Sequence, residues 1–355
     1  MQTQSTSLAK QSQKNCTSHA KSLLVALFLV NCLYYAGTNC HASCLNMPIA
    51  KPFIKWVGGK SQLISQLDDL LPHNFREWDD VTYIEPFVGG GAMLFHLLSH
   101  YPNIKRAVIN DINKDLTSCY EIVRDKPCDL IRALQDIQTE YDSLLKDTFR
   151  QEFYYRMRDR FNTKALDALE NTVLFFFLNR TCFNGLYRVN KKGGFNVPFG
   201  KYESPTFFNE EVIYADSELL QNVEIMNGDF EETFSKIQGK TLFYFDPPYR
   251  PLSNTSSFNS YSKEDFNDTA QIRLKQFCDR IHQAGAYFML SNSDGRGKNV
   301  HDTFFDELYA DYSIDRVWAS RCVNANASKR GKLTEILVRS YKDAIKGFAE
   351  LPLEC

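Results

Sequence analysis

The sequence has no excess of positive charge. Its 41 lysines and arginines meet 43 aspartates and glutamates, for a formal charge of −2, which excludes a globally basic protein that coats nucleic acid; any such contact must come from local basic clusters. Paired cysteines at metal-binding spacing are also missing. Ten cysteines are scattered, and Cys40 and Cys44 around His41 form the one close group, so no metal is expected. The wholly apolar run at residues 23–30, trailing to Ala36, is too short to span a bilayer comfortably, so no membrane partner is expected. G-x-G-x-x-G is absent after the first strand-like segment, which argues against a standard NAD fingerprint and for a related cofactor.

Residues 1–46 differ in character from the rest of the chain. A stretch rich in Ser, Thr, Gln and Lys precedes the short apolar run, and four of the ten cysteines fall here. This resembles a signal-peptide core without a clean small-x-small cleavage site. An upstream extension before a start at Met47, leaving a cytoplasmic protein, and an export or anchoring segment are the two readings. With 355 residues and 43% hydrophobic content, the remainder suffices for one large domain or two modest ones.

Pro52-Phe53-Ile54-Lys55-Trp56-Val57-Gly58-Gly59-Lys60 opens the patterned sequence, and Leu63, Ile64, Leu67, Leu70 and Leu71 follow at helical spacing. Lys60 thus stands where a helix begins, a position that suits an anionic group. Residues 81–87 read as a strand, Gly89-Gly90-Gly91 as a turn, and residues 92–98 as a helix, the opening of a nucleotide-binding α/β unit. A second strand at residues 106–109 ends in Asn110-Asp111; an acid there suits a ribose hydroxyl pair, or else caps the next helix.

The apolar, aromatic run Thr241-Leu242-Phe243-Tyr244-Phe245 reads as a buried strand, and it ends in Asp246-Pro247-Pro248-Tyr249. Two prolines stiffen the turn, so the Asp246 carboxylate and the Pro247 carbonyl are acceptors held still, with the Tyr249 ring beside them for stacking. Such a turn would grip an exocyclic amino group. The bland alternative is an Asp-Pro turn that only closes a strand.

Between these elements, Arg180, Arg188, Lys191, Lys192 and Lys201 interleave with Phe183, Tyr187, Phe195, Phe199 and Tyr202, a composition that suits a nucleic-acid surface or, alternatively, a solvated hairpin. The phenylalanine-rich helical run at residues 171–178 reads as core. Strands are expected at residues 223–226, 286–290, 313–318 and 333–340, the last two as a hairpin around a long loop.

Taken in order, Lys55 to Lys60, Glu85-Pro86-Phe87-Val88-Gly89-Gly90-Gly91, Asn110-Asp111, Asn184-Gly185-Leu186-Tyr187-Arg188, Phe195 to Gly200, Gly228-Asp229-Phe230, Asp246 to Tyr249, Ser291-Asn292-Ser293 and Arg330 to Ile336 resemble the Dam-like, D12-class DNA adenine-N6 methyltransferases. The resemblance runs from about Pro52 to Tyr341 and is nearest to members that modify GATC. It implies a Rossmann-like α/β fold that uses S-adenosyl-L-methionine. Residues 47–120 and 221–345 would form the catalytic domain, and residues 121–220 a mostly helical DNA-recognition insertion. Cofactor contacts fall to Trp56, Lys60, Gly89, Gly91, Asp111, Asp229 and Asp246, with Phe230 either on the adenine or in the core. Asp246, Pro247, Pro248 and Tyr249 become the catalytic turn. Arg188 would read a guanine, Asn184, Leu186 and Pro198 would lie near the duplex, Lys55 would reach a base, and Lys329 and Lys332 would touch phosphates. Double-stranded DNA is the implied partner, and a cognate restriction endonuclease a second one the family allows. The loop at residues 252–261, with Phe258 and Tyr261, would close over a flipped base. A protein-glutamine methyltransferase would normally carry Asn where Asp246 stands, and a DNA-binding protein without activity would have no use for both turns.

Overall fold

Strands β1 (Val81–Glu85) and β4 (Thr241–Phe245) are buried at every residue, as central strands of a parallel sheet covered on both faces must be. The computed structural model describes residues 49–56, 58–250, 266–297, 299–320 and 332–343. Its sheet adds β2 (Ile104–Asp111), β3 (Val223–Asn227), β5 (Tyr287–Ser293), β6 (Ser313–Ser320) and β7 (Lys332–Arg339), in the order β3-β2-β1-β4-β5-β7-β6. The first five run parallel, and β7 enters antiparallel between β5 and β6. This is the Rossmann-like α/β architecture. The chain winds outward from β1 to β3, then returns to β4 at β1's other side, so the strand order reverses between β1 and β4. Ligands bind outside the carboxyl ends of strands at such a reversal.

Alternate residues of each strand serve opposite faces. Tyr83, Leu242, Tyr244 and Met289 join one core with most of the helices, while Ile84, Phe243, Phe245 and Leu290 join another with Leu274, Phe277 and Ile281. On the first side lie α1 (Ile64–Asp69), α2 (Ala92–His100), α3 (Lys114–Asp125), α4 (Pro127–Asp142), α5 (Asp147–Asn162), α6 (Ala168–Thr181) and α7 (Glu210–Leu220); α8 (Asp268–Gln283) covers the second, and α9 (Phe304–Leu308) is a short turn. Helix α6 is buried on all sides from Thr172 to Asn179 because α3, α4 and α5 surround it, which accounts for its run of phenylalanines. The described residues form one compact unit. The expected insertion boundary at residue 120 falls inside α3, the helix that carries the chain from β2 toward the insertion. Among the described residues no helix is long and apolar enough to cross a membrane.

Candidate active site

The carboxyl ends of β1 and β4 bring the two sequence turns together. Beyond β1, Gly89 and Gly91 hold φ of +48° and +71°, left-handed values that favour glycine. A Cβ on Gly89 would come within 2.9 Å of Trp56 Cδ1 and Nε1, and one on Gly91 within 2.5 Å of the Tyr120 hydroxyl. The turn therefore has no room for side chains. Tyr120 donates to the Gly89 carbonyl at 3.0 Å, and Gly89 N–H donates to Asp111 Oδ2 at 3.2 Å. Asp111 Oδ1 accepts from Asn113 N–H, and it is Asn113, not Asp111, that caps α3. Two lone-pair positions of the Asp111 carboxylate remain for other donors. Burial pushes this carboxyl up to about 6, against those two N–H groups. Neighbouring Asn110 donates to the carbonyls of Pro86 and Gly228, tying the ends of three strands.

Lys60 comes to the same place from the start of α1. Its ammonium is 5% exposed, bonds the Gly58 carbonyl at 2.9 Å and lies 2.7 Å from Asp246 Oδ1. The anion it meets is thus Asp246. Burial pushes the Asp246 carboxyl up to about 6; Lys60 opposes the shift and Glu335 adds to it. The buried ammonium and the 22% exposed carboxylate hold one another, with less at stake than the about 3–5 kcal/mol that breaking a fully buried pair costs. Pro247 is buried and Pro248 exposed. The Pro248 carbonyl accepts from Gln271 Nε2 at 3.2 Å, Gln271 in turn accepts from Asn292 Nδ2, and the Pro247 carbonyl meets no hydrogen-bond donor among the described residues. The Tyr249 ring lies 4.6 Å below the Lys60 ammonium, and its hydroxyl donates to Glu335 Oε2 at 2.6 Å.

The structure brings Trp56, Lys60, Gly89, Gly91, Asp111 and the 246–249 turn together. Asp229 is engaged differently: it forms a capping box with Glu232 and pairs with Arg273. Phe230 packs on Phe87 and Phe277, in the core. Sequence reading did not single out Glu335, nor Glu85, which is buried behind the turn, accepts from the Tyr83 hydroxyl at 2.8 Å and is pushed well above the carboxylate range by burial. Alternation along β7 puts Glu335 on one face, but only the antiparallel insertion of that strand beside β5 tells which.

The basic stretch needs a correction. Tyr187, Phe195 and Phe199 are buried, and Arg180 leaves the surface to donate to the Phe53 carbonyl; burying the rings gives this segment its own core, so its aromatics are not a stacking platform. Phe183 is half exposed, and Lys191, Lys192, Lys201, Asn184 and Pro198 are exposed. Arg188 spends Nε and Nη2 on the side chain and carbonyl of Asn196, at 2.8 and 3.3 Å, which aims a guanidinium that keeps three further N–H donors. Asn184, at φ +56°, donates its backbone N–H to the Tyr202 hydroxyl oxygen. Half-buried Leu186 sits beside it. Asn179 of α6 bonds both backbone groups of Lys55, at 2.9 and 2.7 Å, and Lys55 Nζ lies 5.3 Å over the Tyr202 ring. Tyr187 stacks on Trp56 at 5.7 Å, so the hairpin and the glycine turn share a wall. Lys329, Arg321, the 252–261 loop, residues 1–46 and the Lys332 side chain lie outside the described residues.

Comparison with known proteins matches residues 56–323 to the D12 class N6 adenine-specific DNA methyltransferases. The Type II methyltransferase M.MjaIII of Methanocaldococcus jannaschii is 47% identical over 294 residues, covering 82% of this chain and 99% of that protein. Type II methyltransferase M1.LlaDCHI of Lactococcus lactis subsp. cremoris is 38% identical, covering 82% and 95%, and the DNA adenine methylase of Escherichia coli 31% identical, covering 83% and 96%. The chain belongs to the D12 class of N6 adenine-specific DNA methyltransferases.

Proposed function

We propose that this enzyme transfers a methyl group from S-adenosyl-L-methionine to N6 of adenine within GATC of double-stranded DNA, with the base turned out of the helix. The observation that carries the reading is the adjacency of Asp246 and the glycine turn at the strand reversal, one an acceptor site and the other a backbone cradle without side chains. Trp56, Gly89, Gly91 and Asp111 fit the cofactor: the turn admits close approach, and the partly buried Asp111 carboxylate suits hydroxyl donors. When bound, S-adenosyl-L-methionine supplies a methyl group on a sulfonium, whose C–S electron pair stays with sulfur.

The protein's share is to make N6 a nucleophile. The N6 lone pair is delocalised into the purine, and acceptors on its two N–H groups, Asp246 and the Pro247 carbonyl, favour a pyramidal nitrogen with the pair free to form the new C–N bond. Positioning and fixed charge supply most of the acceleration. The proton that N6 then loses passes to Asp246, whose affinity at about 6 suits both steps near neutral pH. Turning the base out costs a few kcal/mol, which stacking on Tyr249 offsets. Arg188, aimed by Asn196, reads guanine, with Lys55, Asn184, Leu186 and Pro198 along the duplex and Lys329 and Lys332 on phosphates. The Type II names of two relatives support a cognate restriction endonuclease as a partner. Plasmid treated with the enzyme and cofactor is then cut by GATC endonucleases of opposite methylation sensitivity. Protection from one together with cleavage by the other is expected; unchanged digestion by both refutes GATC, and absence of N6-methyladenine in the hydrolysed DNA refutes the activity.

A further inference from the structure

The buried ammonium of Lys60 has two carboxylates in reach, Asp246 at 2.7 Å and Glu335 at 4.0 Å. Only the first is the reaction's acceptor under the function proposed above, on which this inference rests. As it stands, Lys60 occupies that acceptor: an ammonium on Oδ1 draws charge from the whole carboxylate, and an amino group approaching it would meet a weakened partner. Lys60 is 5% exposed, so water cannot take its charge, and a buried cation without an anion is strongly disfavoured. A second anion is needed wherever Asp246 turns to a neutral amine. Glu335 is that anion. It projects from β7 opposite Ser293 of β5 and Val317 of β6, and the Oε2 atom nearest Lys60 also accepts the Tyr249 hydroxyl.

We propose that Glu335 is a positioning residue for methyl transfer: it takes over Lys60 as adenine N6 engages Asp246, while its bond to the Tyr249 hydroxyl fixes the ring against which the base rests. Among the described residues, the titratable groups facing Asp246 and Glu335 are Lys60, Glu85, Tyr83, Tyr244 and Tyr249. Lys60 is the one cation among them. Glu335 also adds negative charge that helps hold the Asp246 proton.

Glu335→Gln separates these roles, because the amide oxygen still accepts from Tyr249 but carries no charge. The expected result is a kcat lower by about tenfold, the worth of one charge-assisted hydrogen bond, with KM for DNA and cofactor near wild type. The acid limb of kcat/KM for DNA, which reports Asp246 before the base engages it, should also move below its wild-type position near pH 6, since a neighbouring negative charge has been removed. A purely structural role would lower kcat at every pH and leave the limb in place, and that outcome overturns the proposal. Glu335→Asp keeps the charge one methylene further back; its limb and kcat should lie between wild type and Glu335→Gln. Should Glu335→Gln not fold, as judged by its melting transition, Glu335→Asp decides alone, and a wild-type limb with wild-type kcat refutes the takeover of Lys60. Wild type is measured first in the same assay. If it transfers no methyl group to adenine the proposed function fails, whereas an active wild type with an unmoved limb in the variants sinks this inference only.

Discussion

Asp246 should impose an acid limb on methyl transfer that an ordinary aspartate would not. Burial raises its carboxyl from 3.8 to about 6, so about ten in eleven molecules are ionised at pH 7 and about one in eleven at pH 5. Only the ionised form accepts from N6, and kcat/KM for DNA, which reports groups of the enzyme before the base engages, should fall roughly tenfold over that interval; a carboxyl left at 3.8 would lose less than about a tenth. Asp111 is also raised to about 6, but it faces the cofactor side, so its protonation should weaken cofactor binding and be hidden at saturating cofactor. The assay is methylation of a GATC duplex held well below its KM, with cofactor saturating, from pH 5 to 8. Asp246→Asn should run about 10²- to 10³-fold slower, as when one preorganised partner is removed, with the limb gone. A wild-type rate that stays flat down to pH 5, or an Asn variant that keeps the limb, would refute the assignment.

Arg188→Ala should relax the choice of guanine by about 1–3 kcal/mol, the worth of a bidentate pair, and Asn196→Ala should do part of the same by releasing the guanidinium; equal loss on every oligonucleotide with an altered salt slope would make Arg188 a phosphate contact. Gly89→Ala puts a Cβ 2.9 Å from Trp56 at φ +48°, a backbone strain of about 1–3 kcal/mol, and should weaken cofactor affinity at least tenfold by calorimetric titration; unaltered affinity would place the cofactor elsewhere. Asp216 is fully buried with its carboxyl pushed up to about 8 and Oδ2 without a partner. A folded-state value raised this way gives stability that is present below pH 4 and lost as pH rises toward 8, at most roughly 4 kcal/mol by pH 7. Asp216→Asn should flatten that slope in urea melts at pH 5 and 8; an unchanged slope would mean the carboxyl is not the source.

Much of the sheet was legible because parallel strands buried on both faces are short apolar runs bounded by turns, and residues 241–245 and 81–85 are two such runs. Strand β2 begins two residues before the expected residue 106, since Ile104 pairs with Val81 across a register shift that skips Lys105, at the half-exposed start of the strand, where pattern says little. The recognition stretch misled for a physical reason: basic and aromatic residues alternate along it, and composition does not say which way a ring points. Asn162, Asn190 and Asn196 bond the hairpin's backbone and side chains, and that lattice turns Phe195 inward while the lysines stay out. Glu335 was hidden differently. It stands 89 residues beyond Asp246, on a strand whose neighbours are fixed only by the sheet order.

The carboxyl-end edge of β2, β1 and β4, with β7 reaching it from beyond β5, is acidic by construction. Glu85, Asp111, Asp246 and Glu335 gather there with Lys60 as the cation between the last two, and burial raises the first three carboxyls rather than leaving them in the usual range. Each raised acid lowers stability as it ionises toward neutral pH, so the fold does not gather these groups for its own sake. Asp111 and Asp246, mostly ionised at neutral pH, make a negative field in a low-dielectric cleft, which favours any added positive charge more than water would. A sulfonium cofactor carries such a charge, and an adenine that has just received a methyl group carries one at N6 until its proton leaves. The carboxylates that cost the empty enzyme stability therefore sit where the proposed reaction brings and develops positive charge, and Lys60, shared between two of them, keeps the cleft from being so negative that Asp246 would hold its proton at neutral pH.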